Sequence, residues 1–270
     1  MSAEIIMISA NDEVFHNPEY LSDRLVFNYI DGARQSDKAE FYSDKKRVII
    51  CRKKGSKSVW IWTDDDVCND VDAVINIAKA IREFDTAGLE FFTKPNLTQI
   101  FSDMYALISN DLDYQVKSEF SLGAYRFTGN KLPESNAVTV LKYNKKFYDA
   151  LLNFYMELKD EFHWSEEKVN ATVKKYTSYN TYLLLKNSQL LSVCVIRNDS
   201  DELSSIRSVA TKLSERNKGY ATIVTNTSSV MQSKNGNSIM LYTNDGNISA
   251  VKAFKKAGYE LIGKVNLIKS

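Results

Sequence analysis

Apolar residues in the second half of the chain follow two periods, one typical of helices and one of strands. Between residues 147 and 176 they recur at steps of three and four, which predicts two amphipathic helices. Three short apolar runs separated by polar turns follow, and this spacing predicts an antiparallel meander. The runs span residues 181–185, 190–196 and 205–211.

A helix, a strand and a further helix are predicted after the meander. A helical stripe is predicted next, a strand covers residues 239–243, and a last helix ends at Gly258 before a final strand. The predicted order for this half is β-α-α-β-β-β-α-β-α-β. The stripe consists of Tyr220, Ile223, Val224, Thr227, Val230 and Met231.

The first half repeats a similar order more loosely. A helix is indicated by Leu21, Leu25 and Tyr29, and a hairpin, helix, strand, helix and long strand follow up to residue 127. Turn residues at 128–136 separate the halves. We therefore predict an α/β protein of two domains, residues 1–130 and 131–270, each a mixed, mainly antiparallel sheet with flanking helices.

Composition excludes several function classes. Lysine and arginine number 35 against 34 aspartates and glutamates, so no strong basic field attracts nucleic acid. Three scattered cysteines and two histidines predict neither a metal site nor disulfides, which favours a cytoplasmic protein. The N-terminal residues lack the basic region of a secretory signal, and no apolar run approaches about 18 residues, so no membrane partner is expected.

A turn with phosphate-binding chemistry follows the third strand of the meander. The predicted strand ends at Val209, Ala210 and Thr211, and a glycine-containing turn then opens a helix. Such a turn leaves main-chain N–H groups unpaired at the positive end of the helix dipole. The residues that would surround a phosphate are Arg216, Asn217, Lys218, Gly219, Tyr220 and Ala221. The alternative is an ordinary surface loop before a helix.

Glycine and asparagine suit the conformation that this turn needs. Gly219 lets the backbone approach a ligand because it has no Cβ, and Asn217 tolerates left-handed backbone angles. Arg216 and Lys218 add positive charge.

Two motifs in this half resemble those of the GNAT N-acetyltransferases. Residues 209–222 are similar to the acetyl-CoA signature R/Q-x-x-G-x-G/A, with Arg216, Gly219 and Ala221 at its fixed positions. Residues 247–259 resemble the second motif, N-x-x-A-x-x-x-Y-x-K-x-G-F, with Phe254 in place of its tyrosine. The positions that match this second motif are Asn247, Ala250, Lys256 and Gly258.

The resemblance implies a second domain that binds acetyl-CoA as cosubstrate between two splayed strands, 205–211 and 239–243. It also implies an oxyanion hole of main-chain amides near Val209, a pyrophosphate on the amides of residues 217–221, and a contact from Phe254 to the cofactor sulfur. Asn247 would hold pantetheine or cap the last helix. The first half resembles the degenerate partner domain of tandem GNAT proteins, and its acidic, glycine-free residues 64–72 predict no CoA binding there.

The expected activity is acetyl transfer to a primary amine of a small molecule or peptide. Because Phe254 cannot donate a proton, the general acid is sought elsewhere, and Tyr242 and Tyr220 are the hypotheses. Candidate bases are Asp199, Asp201, Glu202, His163, Glu166 and Glu167. A CoA-binding sensor without turnover, transfer of a different acyl group, and an interaction domain without ligand remain open, as does the oligomeric state.

Overall fold

The computed structural model describes residues 3–84, 88–109, 118–129, 138–234 and 236–269, without the side chains of residues 118 and 119. The predicted boundary at residue 130, and part of the turn around it, lie outside the described residues. Within the described part of the chain, no helix is long and apolar enough to cross a membrane.

The described residues form strands and helices in an order close to the predicted one. The strands are β1 (Ile6–Ile8), β2 (Ala39–Ser43), β3 (Val48–Lys53), β4 (Ser58–Thr63), β5 (Glu90–Thr93), β6 (Ser118–Phe127), β7 (Thr139–Lys142), β8 (Asn180–Lys186), β9 (Gln189–Asn198), β10 (Leu203–Thr211), β11 (Ser238–Asn244) and β12 (Tyr259–Lys269). The helices are α1 (Pro18–Asp23), α2 (Asn28–Ala33), α3 (Val71–Arg82), α4 (Pro95–Ser109), α5 (Tyr148–Glu157), α6 (Glu166–Tyr176), α7 (Tyr220–Ser233) and α8 (Ile248–Lys256).

The chain divides into two compact units, and the N-terminal unit includes two segments from the second half of the sequence. The N-terminal unit comprises Met1–Ala124, Asn244–Gly246 and Ile262–Ser270, and the C-terminal unit comprises Tyr125–Thr243 and Asn247–Leu261. The last strand of the chain therefore serves the N-terminal unit, where Asn266 to Lys269 pair antiparallel with β5.

In the N-terminal unit the strand order is β1-β2-β3-β4-β5-β12. β4 and β5 are parallel, whereas the pairs β1–β2, β2–β3, β3–β4 and β5–β12 are antiparallel. Helices α3 and α4 cover one apolar face, and Ile268 of β12 lies in the same core. The prediction of a single helix from Leu21, Leu25 and Tyr29 is wrong, because two helices, α1 and α2, are separated by a non-helical segment. Leu21 is exposed.

In the C-terminal unit the strand order is β11-β10-β9-β8-β7, and the last three residues of β6, Tyr125 to Phe127, also belong to this unit. β8, β9 and β10 form the predicted antiparallel meander, and β7 pairs antiparallel with β8. β10 joins β11 in parallel, so the sheet is mixed. Val193 and Val195 of β9 pack against α5 and α6, while Cys194 and Ile196 pack on the side of α7. Because successive side chains of a strand point to opposite faces, helices cover both faces of this sheet.

The predicted apolar stripe of α7 is only partly correct. Tyr220 and Val224 are buried, but Met231 is 38% exposed. The other buried positions of the helix are polar: Thr225, Asn226, Ser228, Ser229 and Gln232. Such residues can be buried when they have hydrogen-bond partners. Asn226 Nδ2 donates to the Ala257 carbonyl at 3.0 Å, and Ser229 Oγ lies 2.6 Å from the Tyr259 hydroxyl.

Candidate functional site

Strands β10 and β11 separate after a short paired region. They pair in parallel from Leu203 and Ser238 to Ser205 and Met240. Within their described residues no pair joins them beyond that point, although β10 runs to Thr211 and β11 to Asn244. Since β10 continues without a partner on that edge, alternate main-chain N–H and C=O groups of residues 206–211 are open there. The predicted splay is confirmed.

A β-bulge marks the start of this open edge. The register of β10 against β9 shifts between Ile206 and Ser208, so Arg207 is the extra residue. A bulge bends its strand and increases the local twist, which turns β10 away from β11. No glycine or proline signals the bulge in the sequence, and sequence reasoning missed it.

The end of β10 is held firmly on its other edge. Ser192 Oγ of β9 donates to the Ala210 carbonyl at 2.8 Å and shares a hydrogen bond of 2.8 Å with Thr211 Oγ1. Ala210 and Thr211 are buried, whereas Val209 is half-buried beside the α7 core. The strand end is thus a fixed support for the loop that follows.

The loop between β10 and α7 has the predicted backbone conformation. Asn217 has φ 63° and Gly219, the residue before α7, has φ 82° and ψ 2°, so both are left-handed. A Cβ placed on Gly219 would meet no atom within 4 Å, which means that this part of the loop borders open space. Asn217, Lys218 and Gly219 are exposed, whereas Ala221 is half-buried and Tyr220 is buried in the core.

Among the described residues, the second part of this loop and the start of α7 have main-chain N–H groups without an acceptor. Within the described residues, none of the main-chain N–H groups from Asn217 to Thr222 donates a hydrogen bond to a protein acceptor. No side chain caps the start of α7. The first such bond runs from the Ile223 N–H to the Gly219 carbonyl at 3.0 Å. Unpaired N–H groups at the start of a 14-residue helix form a ready anion site.

The second motif residues have structural partners in the C-terminal unit. Asn247 caps α8, since its Oδ1 accepts from the Ala250 N–H at 3.1 Å and from Ser249 Oγ at 3.0 Å. Phe254 packs edge-on against Tyr259, with ring centroids 6.3 Å apart. The predicted capping function of Asn247 is confirmed, whereas contacts of Asn247 and Phe254 with a cosubstrate stay predictions.

The two tyrosines considered as general acids lie in different surroundings. Tyr242 is half-buried on β11, past the last pair with β10. Because Leu241 packs in the core beside α7 and α8, the next residue, Tyr242, points to the opposite face of the sheet. Tyr220 is only 8% exposed and packs among the side chains of β8 and β9. Of the two hydroxyls, that of Tyr242 has the better access.

The carboxylates considered as bases are scattered. Asp199 accepts from Arg197 Nε at 2.6 Å, and Glu166 pairs with Lys159 Nζ at 2.8 Å. His163 lies in the turn before α6 with φ 52°. The remaining three, Asp201, Glu202 and Glu167, are exposed.

A polar pair that sequence reasoning missed lies beside the bulge. The Tyr155 hydroxyl is 3.3 Å from Ser208 Oγ, and burial raises the pKa of Tyr155 well above its usual value. Tyr155 falls within the helical periodicity of residues 147–176, and a contact with a residue 53 positions away leaves no local signal in the sequence. Ser208 thus brings a hydroxyl to the α5–α6 face of β10.

The N-terminal unit has a comparable strand separation that is closed by charged side chains. β4 and β5 pair in parallel only from Ser58–Glu90 to Trp60–Phe92. Beyond this point Lys94 Nζ lies 2.6 Å from Asp23 and 2.9 Å from Asp65, and 5.6 Å from the centre of the Trp62 ring. The cleft of about 520 Å³ beside them is also lined by Glu19 and Asp66. Four carboxylates there disfavour phosphate.

Comparisons with known proteins identify the fold. Neither a protein-family model nor a curated protein sequence matches the chain. Solved structures do: a GCN5-related N-acetyltransferase from Sphaerobacter thermophilus has a TM-score of 0.63 at 10% identity, with 98% of this chain and 95% of that chain covered. An acetyltransferase of the GNAT family from Colwellia psychrerythraea has a TM-score of 0.58 at 13% identity, covering 98% and 99%. The chain therefore has the GNAT acetyltransferase fold.

A further similarity concerns the arrangement of two units in one chain. A tandem GNAT protein from the clavulanic acid biosynthesis pathway matches with a TM-score of 0.50 at 8% identity, over 99% of this chain and 98% of that chain. This match and the division into two compact units indicate that the chain has a tandem GNAT fold.

Proposed function

We propose that the protein is an acyltransferase whose C-terminal unit binds acyl-CoA, and more specifically that it moves acetyl from acetyl-CoA to a primary amine. The acceptor is a small molecule or a peptide, and both substrates are bound when transfer occurs. The observation that carries this proposal is the set of unpaired N–H groups at residues 217–222, next to the open edge of β10. The GNAT fold supports the same assignment.

The open edge and the loop fit successive parts of the cosubstrate. The diphosphate accepts hydrogen bonds from the loop amides at the positive end of α7. The pantetheine arm contains amide groups, which pair with the main chain of residues 206–211 as a strand would. N–H groups of this segment, near Val209, then polarise the thioester carbonyl and stabilise the oxyanion that forms there.

The chemistry is a direct acyl transfer. The neutral amine attacks the thioester carbonyl carbon, so that a C–N bond forms and the carbonyl oxygen becomes an oxyanion. The oxyanion collapses, the C–S bond breaks, and the electron pair leaves with the CoA sulfur. The nitrogen loses a proton to a base and the thiolate gains one from an acid. Because a thiol has a pKa of about 8.5, its thiolate leaves readily and acid catalysis is of modest benefit.

Tyr242 is the proposed general acid, and its replacement gives a direct test. Tyr242→Phe is expected to lower kcat about tenfold, less than the roughly 100-fold or greater contribution that is usual for acid–base catalysis because the leaving thiolate is stable, while acetyl-CoA affinity is unchanged. The alkaline limb of the pH profile of kcat should disappear, since it reports loss of the phenol proton. Steady-state kinetics across pH measure both effects. Tyr148→Phe is a matched control that removes an exposed tyrosine hydroxyl from α5; equal kcat in the two variants would exclude Tyr242.

The proposal as a whole is tested by calorimetric titration with acetyl-CoA, followed by an assay of thiol release with a panel of amines. We expect one acetyl-CoA per chain, because four carboxylates line the cleft of the N-terminal unit and Lys94, which also lines it, is already paired with two of them. We also expect free CoA to accumulate when the correct amine is present. Absence of binding would overturn the proposal, and two sites per chain would overturn the assignment to the C-terminal unit alone.

A CoA-binding sensor without turnover is the second candidate. It is favoured by Phe254, which stands where the family has a tyrosine and packs against Tyr259 without a hydroxyl to donate. Binding of acetyl-CoA with no thiol release from any amine of the panel would favour the sensor. Comparing acetyl-CoA with longer acyl-CoA thioesters in the same assay tests the alternative of a different acyl group.

A further inference from the structure

Three basic side chains around the candidate phosphate loop each have a glutamate partner. Lys212 Nζ lies 2.9 Å from Glu157, Arg216 Nη2 lies 2.6 Å from Glu161, and Lys218 Nζ lies 3.1 Å from Glu215. Lys218 pairs within the loop itself. The other two pairs join the loop to the end of α5 and to the turn that follows it. The loop is therefore connected by one ion pair to α5 and by another to the turn after it.

The Arg216 pair differs from the Lys212 pair because it fixes the orientation of a planar group. Arg216 Nε also donates to the Thr211 carbonyl at 3.3 Å, so the guanidinium is held at two points between the end of β10 and the loop. A guanidinium carries five N–H donors, and these contacts leave others available. Since the Arg216 side chain is 39% exposed, a ligand in solvent has access to it.

We propose that Glu161 is a positioning residue for the CoA diphosphate, and this inference rests on the proposed function. By accepting from Nη2, Glu161 holds Arg216 beside the unpaired N–H groups of residues 217–222, so that guanidinium and amides bind the same phosphates. An arginine side chain loses considerable rotamer freedom when it is fixed, so a residue that fixes it in advance reduces the entropy lost on binding. Glu161 acts through Arg216 and does not contact the phosphate itself.

The opposite effect, competition between Glu161 and phosphate for Arg216, is the alternative that the test must exclude. A partly exposed carboxylate is a weak competitor because solvent screens the pair. A diphosphate carries more charge and forms stronger charge-assisted bonds with a guanidinium. The two effects have opposite signs, because competition predicts tighter CoA binding when Glu161 loses its charge.

The experiment is a calorimetric titration of the full chain with CoA. Glu161→Gln is expected to weaken CoA binding on the order of three- to tenfold, since the neutral amide oxygen accepts a weaker hydrogen bond from Arg216 than the carboxylate does. Glu161→Asp, which retains the charge, should recover part of the affinity. In an Arg216→Gln background, Glu161→Gln should have no further effect. Glu157→Gln is the matched control, because it removes the same charge from the end of α5 and frees only Lys212.

The outcomes separate this inference from the proposed function. No CoA binding by the wild-type chain would overturn both. Wild-type binding with unchanged or tighter affinity in Glu161→Gln would overturn the positioning function of Glu161 alone. Equal weakening by Glu157→Gln would also overturn it, because the effect would then reflect general attachment of the loop to α5. Thermal unfolding of each variant shows whether the fold is intact.

Discussion

Replacing Gly219 by valine is expected to weaken acetyl-CoA binding about 100-fold, because several N–H bonds to a charged ligand, each contributing on the order of 1.5–3 kcal/mol, depend on the shape of this loop. Gly219 has φ 82°, and a β-branched residue strongly disfavours that region. A Cβ would meet no atom within 4 Å, so the cause is the backbone and not a clash. The loop would relax and move its amides. Calorimetric titration measures the loss.

Two control variants separate this effect from general strain. Gly236 also has φ 82° and open space around its missing Cβ, but it lies beyond the other end of α7. Gly236→Val should lower the unfolding temperature by a similar amount and leave acetyl-CoA affinity unchanged. Gly219→Asn should bind better than Gly219→Val, because asparagine tolerates left-handed angles. Unchanged acetyl-CoA affinity in Gly219→Val would contradict the assignment of the phosphate site to this loop.

Local sequence signals predicted the parts of the molecule that depend on neighbours along the chain. The meander of β8, β9 and β10, the left-handed Asn217 and Gly219, and the cap formed by Asn247 follow from periodicity and turn chemistry. In each case the residue type limits the backbone within a few positions. The conformation of the candidate phosphate loop is of this kind, whereas phosphate binding by the loop stays a prediction.

Features that depend on distant residues were not predictable in the same way. The bulge at Arg207 is defined by its register against β9, and the Arg216–Glu161 pair joins positions 55 residues apart. The buried face of α7 contains polar residues because Tyr259 and the Ala257 carbonyl supply partners. A hydropathy pattern assigns such residues to solvent. The candidate site could be located from sequence, but the contacts that support it could not.

The second large expected effect is a loss of stability, and it follows from the association of the last strand with the N-terminal unit. Ile268 of β12 is fully buried in the core formed by α3, α4, β4 and β5, and Ile268 pairs with Phe91. Ile268→Ala is expected to reduce the free energy of unfolding of the N-terminal unit by about 2–5 kcal/mol, through lost apolar burial and the cavity that remains. The affected region would be far from the substitution in sequence, because this unit consists mainly of residues 1–124 and takes Asn244–Gly246 and Ile262–Ser270 from the second half.

Hydrogen exchange resolves the effect by element. Amides of α3 in the N-terminal unit should exchange faster in Ile268→Ala, while those of α6 in the C-terminal unit should keep their wild-type rates. Leu267→Ala, at a half-buried neighbouring position, is the control and should have a smaller effect. If α6 lost protection as much as α3, the two units would unfold as one cooperative body. If only β12 itself were affected, Ile268 would not be part of the cooperative core, and the last strand would be a peripheral addition to the N-terminal sheet.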